Sequence, residues 1–148
     1  MSLPNLSSLA TSEDVSTKGG GSFAAQYINW AKTASYVRDH AGPWRPYAEP
    51  AKDGGIAHRS PDGSHYLLIG FRNLETGQET TLIPHAVMNA RMQAIPGDQA
   101  NSRDIADAFV RGMCKAAALL FGLGWELWSK DDPMAEPEKP QNMHNRYS

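Results

Sequence analysis

Residues 103–121, RDIADAFVRGMCKAAALLF, constrain the chain more than any other stretch. Ile105, Phe109, Gly112, Met113, Ala116, Ala117 and Leu120 recur three and four positions apart, the spacing that collects side chains on one face of an α-helix. The stripe is wide and rich in small residues, so a neighbouring backbone, from the protein's own sheet or from another subunit, can approach closely. Ser102 stands before it as the expected cap, Asp104 lies in the first turn where the helix dipole favours negative charge, and Gly122 is the expected stop. Arg111 and Lys115 share a second face with Asp104 and Asp107. One reading of that face is solvation, with an Asp107–Arg111 pair supporting the helix. The other is a rigid mount for two cations that contact phosphates.

The remaining elements are shorter. Trp30 to about His40 is a helix capped by Asn29, with Trp30, Ala34 and Val37 as its apolar stripe and Gly42-Pro43 as its end. Phe23 and Tyr27 also have helical spacing with Trp30, which leaves a start at Ser22 open. WRPYAEPAKDGG reads as an irregular connection, followed by a short extended piece at Ile56–His58 and a tight SPDG turn at 60–63. HYLLIGF, 65–71, reads as a strand. After the turn NLETG, QETTLIP at 78–84 reads as its antiparallel partner, ended by Pro84. Residues 85–101 show no period and read as a loop or broken helix. Gly124 permits a turn into WELW, a last short strand with Trp125 and Leu127 on one side. The order of helix, two or three antiparallel strands and long helix is a small α+β layer.

Both ends differ from this centre. Residues 1–21 are rich in Ser, Thr and Gly and read as a flexible N-terminal arm; residues 129–148 hold three prolines and read as a disordered tail. One domain, 22–128, lies between them. It carries ten Lys/Arg and ten Asp/Glu, so any nucleic-acid footprint must be a local patch or one built by oligomerisation. The single Cys114 excludes an intrachain disulfide and the Cys-rich zinc forms, and reads as a buried structural thiol. The five histidines, His40, His58, His65, His85 and His144, include no HExxH pair; His58 and His65 alone could approach, across a hairpin. No metal site is expected. No GxxxxGK[ST] loop is present, so no nucleotide-driven step is expected either. The first residues lack a basic region followed by an apolar run, and AAALLFGLGW is too short to cross a bilayer; no membrane association and a cytoplasmic location are expected.

The candidate binding residues are basic and aromatic. Arg111 and Lys115 lead because they share a rigid face. Arg91 and Arg103 flank the loop into the long helix, while Lys52, Arg59 and Arg72 lie in loops or at strand ends, Arg72 where it could line a groove beside the helix. Among the tryptophans, Trp30 and Trp125 read as core. Trp44 and Trp128 read as exposed, for stacking on bases or packing against a neighbouring subunit.

LIPHAVMNARMQAIPGDQANSRDIADAFVRGMCKAAALLFGLGWELWSKDD resembles the typical half of a phage family of single-strand DNA annealing proteins, formerly a domain of unknown function. The shared pattern is Leu82 to Pro84, Met88-Asn89, Pro96, Arg111 to Lys115, Gly122 to Gly124, Trp125 to Trp128 and Asp131-Asp132. YINWAKTASYVRDHAGPW at 27–44 is similar to the family's opening, with Asn29 in place of a serine. Asn89 stands where the family commonly has aspartate, and NLETG differs from its usual glycine-containing turn. The family is similar to the eukaryotic recombination proteins that anneal strands without ATP. The resemblance implies a β-β-β-α core, ring or helical homo-oligomers, and single-stranded DNA held by its backbone in a basic groove with Arg111 and Lys115. It also implies DNA recombination and repair in a bacterial host cell, no cofactor, and no enzymatic step. An oligomeric interaction or structural module that keeps the fold without DNA binding is the alternative, favoured by the neutral central domain.

Overall fold

The computed structural model describes residues 3–10, 15–18 and 25–125. Trp128, the greater part of WELW and the tail at 129–148 lie outside these residues. The described chain contains strands β1 (Val15–Lys18) and β2 (Ala25–Ile28), helix α1 (Trp30–His40), strands β3 (Trp44–Ala48), β4 (His58–Arg59), β5 (His65–Asn73) and β6 (Ile83–Ala86), and helix α2 (Ser102–Phe121). The class is α+β, with a short helix before a four-stranded antiparallel sheet and a long helix after it. β1 and β2 form a separate antiparallel ladder, with Val15 opposite Ile28 and Lys18 opposite Ala25.

β5 is the centre of the main sheet. Ile69 pairs with Ala48 of β3 and with Ile83 of β6, and Tyr66 pairs with His58 of β4 and with Ala86 of β6. β3 and β4 therefore follow one another along one side of β5, and β6 takes the other side. Side chains alternate across a strand. Leu67, Ile69 and Phe71 point to one face and are completely buried. α2 covers that face: Phe71 meets Phe121 at a centroid distance of 4.4 Å, and Gly112 lies directly over Ile69. Val37 of α1, Trp44, Val87, Met113, Ala116 and Ala117 join them in the core.

α2 starts one residue earlier than the Ser102 cap expected from sequence. Asn101 is the cap: its Oδ1 accepts from the Asp104 amide at 3.0 Å, and Asp104 Oδ2 accepts from the Asn101 amide at 3.0 Å. This reciprocal box satisfies two amides that have no partner inside the helix. Asn101→Ala is expected to destabilise the protein by about 1 kcal/mol, read as a lower midpoint in urea unfolding at unchanged m-value. At the other end Gly122 adopts φ 79°, the left-handed stop. α1 runs over the expected residues with Asn29 Oδ1 accepting from the Ala31 amide at 2.7 Å. A start at Ser22 is ruled out by β2, which occupies 25–28 in extended form.

WRPYAEPAKDGG is not wholly irregular, because Trp44–Ala48 is strand β3. Pro84 does not end a strand either, because it lies inside β6. The reason is the same at both places. Phe71, opposite Pro46, turns its amide and carbonyl toward Thr80; Leu68, opposite Pro84, turns its carbonyl toward Glu49. Each proline is thus at a non-bonded position and directs its missing donor outward from the sheet edge, where the ladder does not need it.

The reading of 78–84 as a regular partner also changes. From the Arg72↔Glu79 bridge to the Ile69↔Ile83 pair, the second strand uses one residue more than β5. That is a β-bulge. Thr80 repairs the ladder there, its Oγ1 accepting from the Phe71 amide at 2.9 Å and its own amide donating to Phe71 O at 2.9 Å. Residues 85–101 continue β6 into a tight reversal: the Asn89 amide donates to Gln93 O, and the Ile95 amide to Val87 O. Asn89 Oδ1 accepts from the amides of Arg91 and Gln93. An aspartate carboxylate has the same acceptor, so this position accommodates either residue.

The N-terminal stretch departs most from its composition. Residues 3–10 are docked rather than free. Leu6 is buried in the core and its amide donates to Phe121 O at 2.7 Å, satisfying a carbonyl that the end of α2 leaves open.

Candidate nucleic-acid interface

Gly112 determines how α2 meets the sheet. A Cβ there would stand 2.1 Å from Ile69 Cδ1 and 3.2 Å from His85 Cβ. The absent side chain lets the helix settle onto β5 and β6. Arg111 precedes Gly112 and Lys115 follows one turn after Arg111. Both are half-buried, on the side of α2 next to β6. Lys115 Nζ donates to Pro84 O at 3.2 Å, taking an edge carbonyl that no strand pairs with. Arg111 is held differently. Its Nε is buried and has no hydrogen-bond partner among the described residues. Among the described residues no ion pair joins Asp107 to Arg111, so the supporting pair read from spacing does not form. Asp104 is committed to the capping box. The two cations are therefore uncompensated by the carboxylates on their own helix.

His85 is the residue that sequence reading missed. It is 5% exposed, on the α2-facing side of β6, and its Nε2 is also buried without a partner. Burial, then the Lys115 charge, then the Arg111 charge push its pKa down to about 4, so the imidazole is neutral at physiological pH. A signal was present in the sequence: Ile83, His85 and Val87 alternate onto one face. Ending the strand at Pro84 concealed it.

The other candidates scatter. Arg91 is exposed at the tip of the 89–93 turn, Arg103 in the first turn of α2, Arg59 on β4 and Lys52 in the turn after β3. Their side chains make no hydrogen bond or ion pair among the described residues, with each other or with the Arg111–Lys115 cluster. Arg72 does not line a groove beside the helix. Alternation along β5 places it on the face opposite Phe71. There it lies over the Tyr47 ring at 4.4 Å and bonds Glu79 through Nε at 2.8 Å and through Nη2. Its charge is already neutralised.

The assignments of the three described tryptophans reverse. Trp44, expected to be exposed, is 4% exposed, because the first residue of β3 faces the core; Trp30 and Trp125, expected in the core, are 52% and 50% exposed. Trp30 is the first residue of α1, about one turn before the buried Thr33 and two before the buried Val37; Trp125 follows the helix stop. Cys114 is half-buried against Thr33 of α1, and burial raises its thiol pKa. His58 and His65 do not converge, since His58 stacks on Tyr66 and its Nε2 meets Glu49 O at 3.0 Å. Among the described residues no group of three or more His, Cys, Asp or Glu could hold a metal ion, and no helix is long and apolar enough to cross a membrane.

Among the described residues, the arrangement offers two unneutralised cations on one helix face, above a buried neutral imidazole. Such a site suits oxyanions, phosphates above all. No curated protein and no solved structure matched the chain. A family model described as Sak Single Strand Annealing Protein matches residues 2–147.

Proposed function

The chain belongs to the family of Sak single strand annealing proteins, and from that premise we propose that it anneals complementary DNA strands without ATP, as a homo-oligomer acting in homologous recombination and repair in a phage-infected bacterial cell. The observation that supports this best is the pair Arg111 and Lys115, which lie half-buried one turn apart on a rigid helix with no carboxylate paired to them among the described residues. Contact with phosphates holds a strand by its backbone and lowers strand–strand repulsion. The bases stay free to pair. Pairing supplies the free energy, so no nucleotide hydrolysis or enzymatic step is required.

Two cations per chain bind weakly. Repeated around a ring or along a filament they form a continuous track, which is why the proposal includes oligomerisation. Neighbouring subunits would meet through side chains such as Trp30, Leu119 and Trp125, which are 50–60% exposed. Adding strands is disfavoured where Pro46 and Pro84 remove edge donors. Arg91, Arg103, Arg59 and Lys52 are exposed and free to extend the track. An interaction module without DNA binding is the second reading, favoured by the equal numbers of basic and acidic residues in 22–128.

Fluorescence anisotropy with labelled single-stranded and duplex oligonucleotides across a salt series tests the proposal. Arg111→Ala/Lys115→Ala is expected to bind single strands at least ~10-fold more weakly and to lower the salt slope by about 1.4, from roughly 0.7 for each phosphate that is no longer neutralised. Sedimentation should show the assembly unchanged. Wild-type protein that assembles but binds no single strand at low salt would establish the interaction module instead.

A further inference from the structure

Two polar atoms in this site have complementary needs. Arg111 Nε carries one hydrogen and can only donate, while a neutral imidazole with its proton on Nδ1 accepts at Nε2. Both atoms are buried and neither has a partner among the described residues. His85 cannot leave, because its Cβ is wedged under α2 next to Gly112 and its neighbours Ile83 and Val87 face the core. Arg111 can shift, since it has a long side chain and the residue as a whole is only half-buried. Lys115 does not compete for His85, because its Nζ is bonded to Pro84 O. Leaving two buried polar groups unpaired is unfavourable, and pairing them relieves both.

Resting on the nucleic-acid reading above, we propose that His85 is a positioning residue for Arg111: when a phosphate enters the site, Arg111 Nε–H donates to His85 Nε2, and this bond aims the two terminal amino groups of the guanidinium at the phosphate oxygens. A guanidinium fixed at Nε presents its remaining donors as a fork, the geometry that matches two oxygens of one phosphate. The low pKa of His85 keeps its lone pair available at physiological pH. A histidine with no contact to DNA thereby sets how well the arginine binds it.

The experiment measures binding of a labelled oligothymidylate to full-length wild type, His85→Leu, His85→Gln, Arg111→Ala and His85→Leu/Arg111→Ala. Leucine fills a similar volume without an acceptor; glutamine keeps an acceptor oxygen. His85→Leu is expected to weaken binding about 10-fold, as for loss of a hydrogen bond to a charged group, and His85→Gln to stay within about twofold of wild type. In the Arg111→Ala background, His85→Leu should change nothing further, because the residue it positions is gone. Cooperative melting of His85→Leu and His85→Gln confirms that both fold. Should His85→Leu fail to fold, the Arg111 Nε–H resonance replaces it: it is expected to shift and exchange more slowly on adding oligothymidylate to wild type and His85→Gln. Normal binding by His85→Leu, an equal loss from it in both backgrounds, or an unmoved Nε–H resonance overturns the proposal alone. Normal binding by Arg111→Ala overturns the phosphate role of Arg111 itself.

Discussion

Gly112→Val is expected to destabilise the protein by about 3 kcal/mol or more, as overpacking of a well-filled core does. Ile69 is fully buried, so its Cδ1, 2.1 Å from where the new Cβ would stand, has no solvent to move into; His85 Cβ closes the other side at 3.2 Å. A β-branched side chain adds two further atoms at that point. With roughly 3–4 °C per kcal/mol for a chain of this size, the melting temperature should fall by about 10 °C. Gly112→Ala is a finer probe. Its gain in helix propensity, up to about 1 kcal/mol, opposes the clash. Shortening the partner should tip the balance, so Gly112→Ala/Ile69→Val is expected to melt above Gly112→Ala, although Ile69→Val by itself lowers stability. If Gly112→Ala alone melts above wild type, α2 does not sit as close to β5 as described.

Acidification from pH 6.5 toward 4 should destabilise the protein through His85. His85 has a pKa of about 4 in the fold against 6.5 ordinarily. Between those values the unfolded chain binds a proton that the folded chain refuses, so stability rises with pH across that window. The contribution is fully present above pH 6.5 and is lost as the pH falls to about 4. Its size is on the order of 3 kcal/mol at full extent, again about 10 °C in melting temperature. Asp39, held low by Arg38, and Asp62, held low by the Ser64 hydroxyl and amide, add losses only below the ordinary carboxylate value of 3.8. The dependence between pH 6.5 and 4.5 therefore belongs mainly to His85, and His85→Gln should flatten it. Thermal melts of the two proteins across that range check the assignment. Equal slopes would mean that the imidazole is not held neutral beneath Arg111 and Lys115.

Much of the fold was legible because local physics dictates it. The three- and four-residue spacing of apolar side chains in 102–121 specifies a helix with a buried stripe, and Gly122 ends it where expected. Asn29 caps α1, and the apolar run at 65–71 is the core of β5. Arg111 and Lys115 were legible as neighbours because four residues of helix place them so, whatever the rest of the chain does.

What failed depended on distant residues. Prolines argue against strands, yet Pro46 and Pro84 lie in β3 and β6, because being at a non-bonded edge position is a property of the pairing and not of the proline. Trp44 is buried and Trp30 exposed because the sheet and α2 decide which side of each element faces the core; a tryptophan suits either place. Leu6, within a Ser- and Thr-rich stretch, is buried because the end of α2 supplies both an apolar surface and an open carbonyl. Arg72 is no part of the site, because pairing with Glu79 and alternation along β5 carry it to the opposite face. The sequence by itself determined the long helix and its pair of cations. Only the tertiary structure decided that a histidine from strand β6 lies beneath them, because burial without a partner arises only when separate elements close over one another.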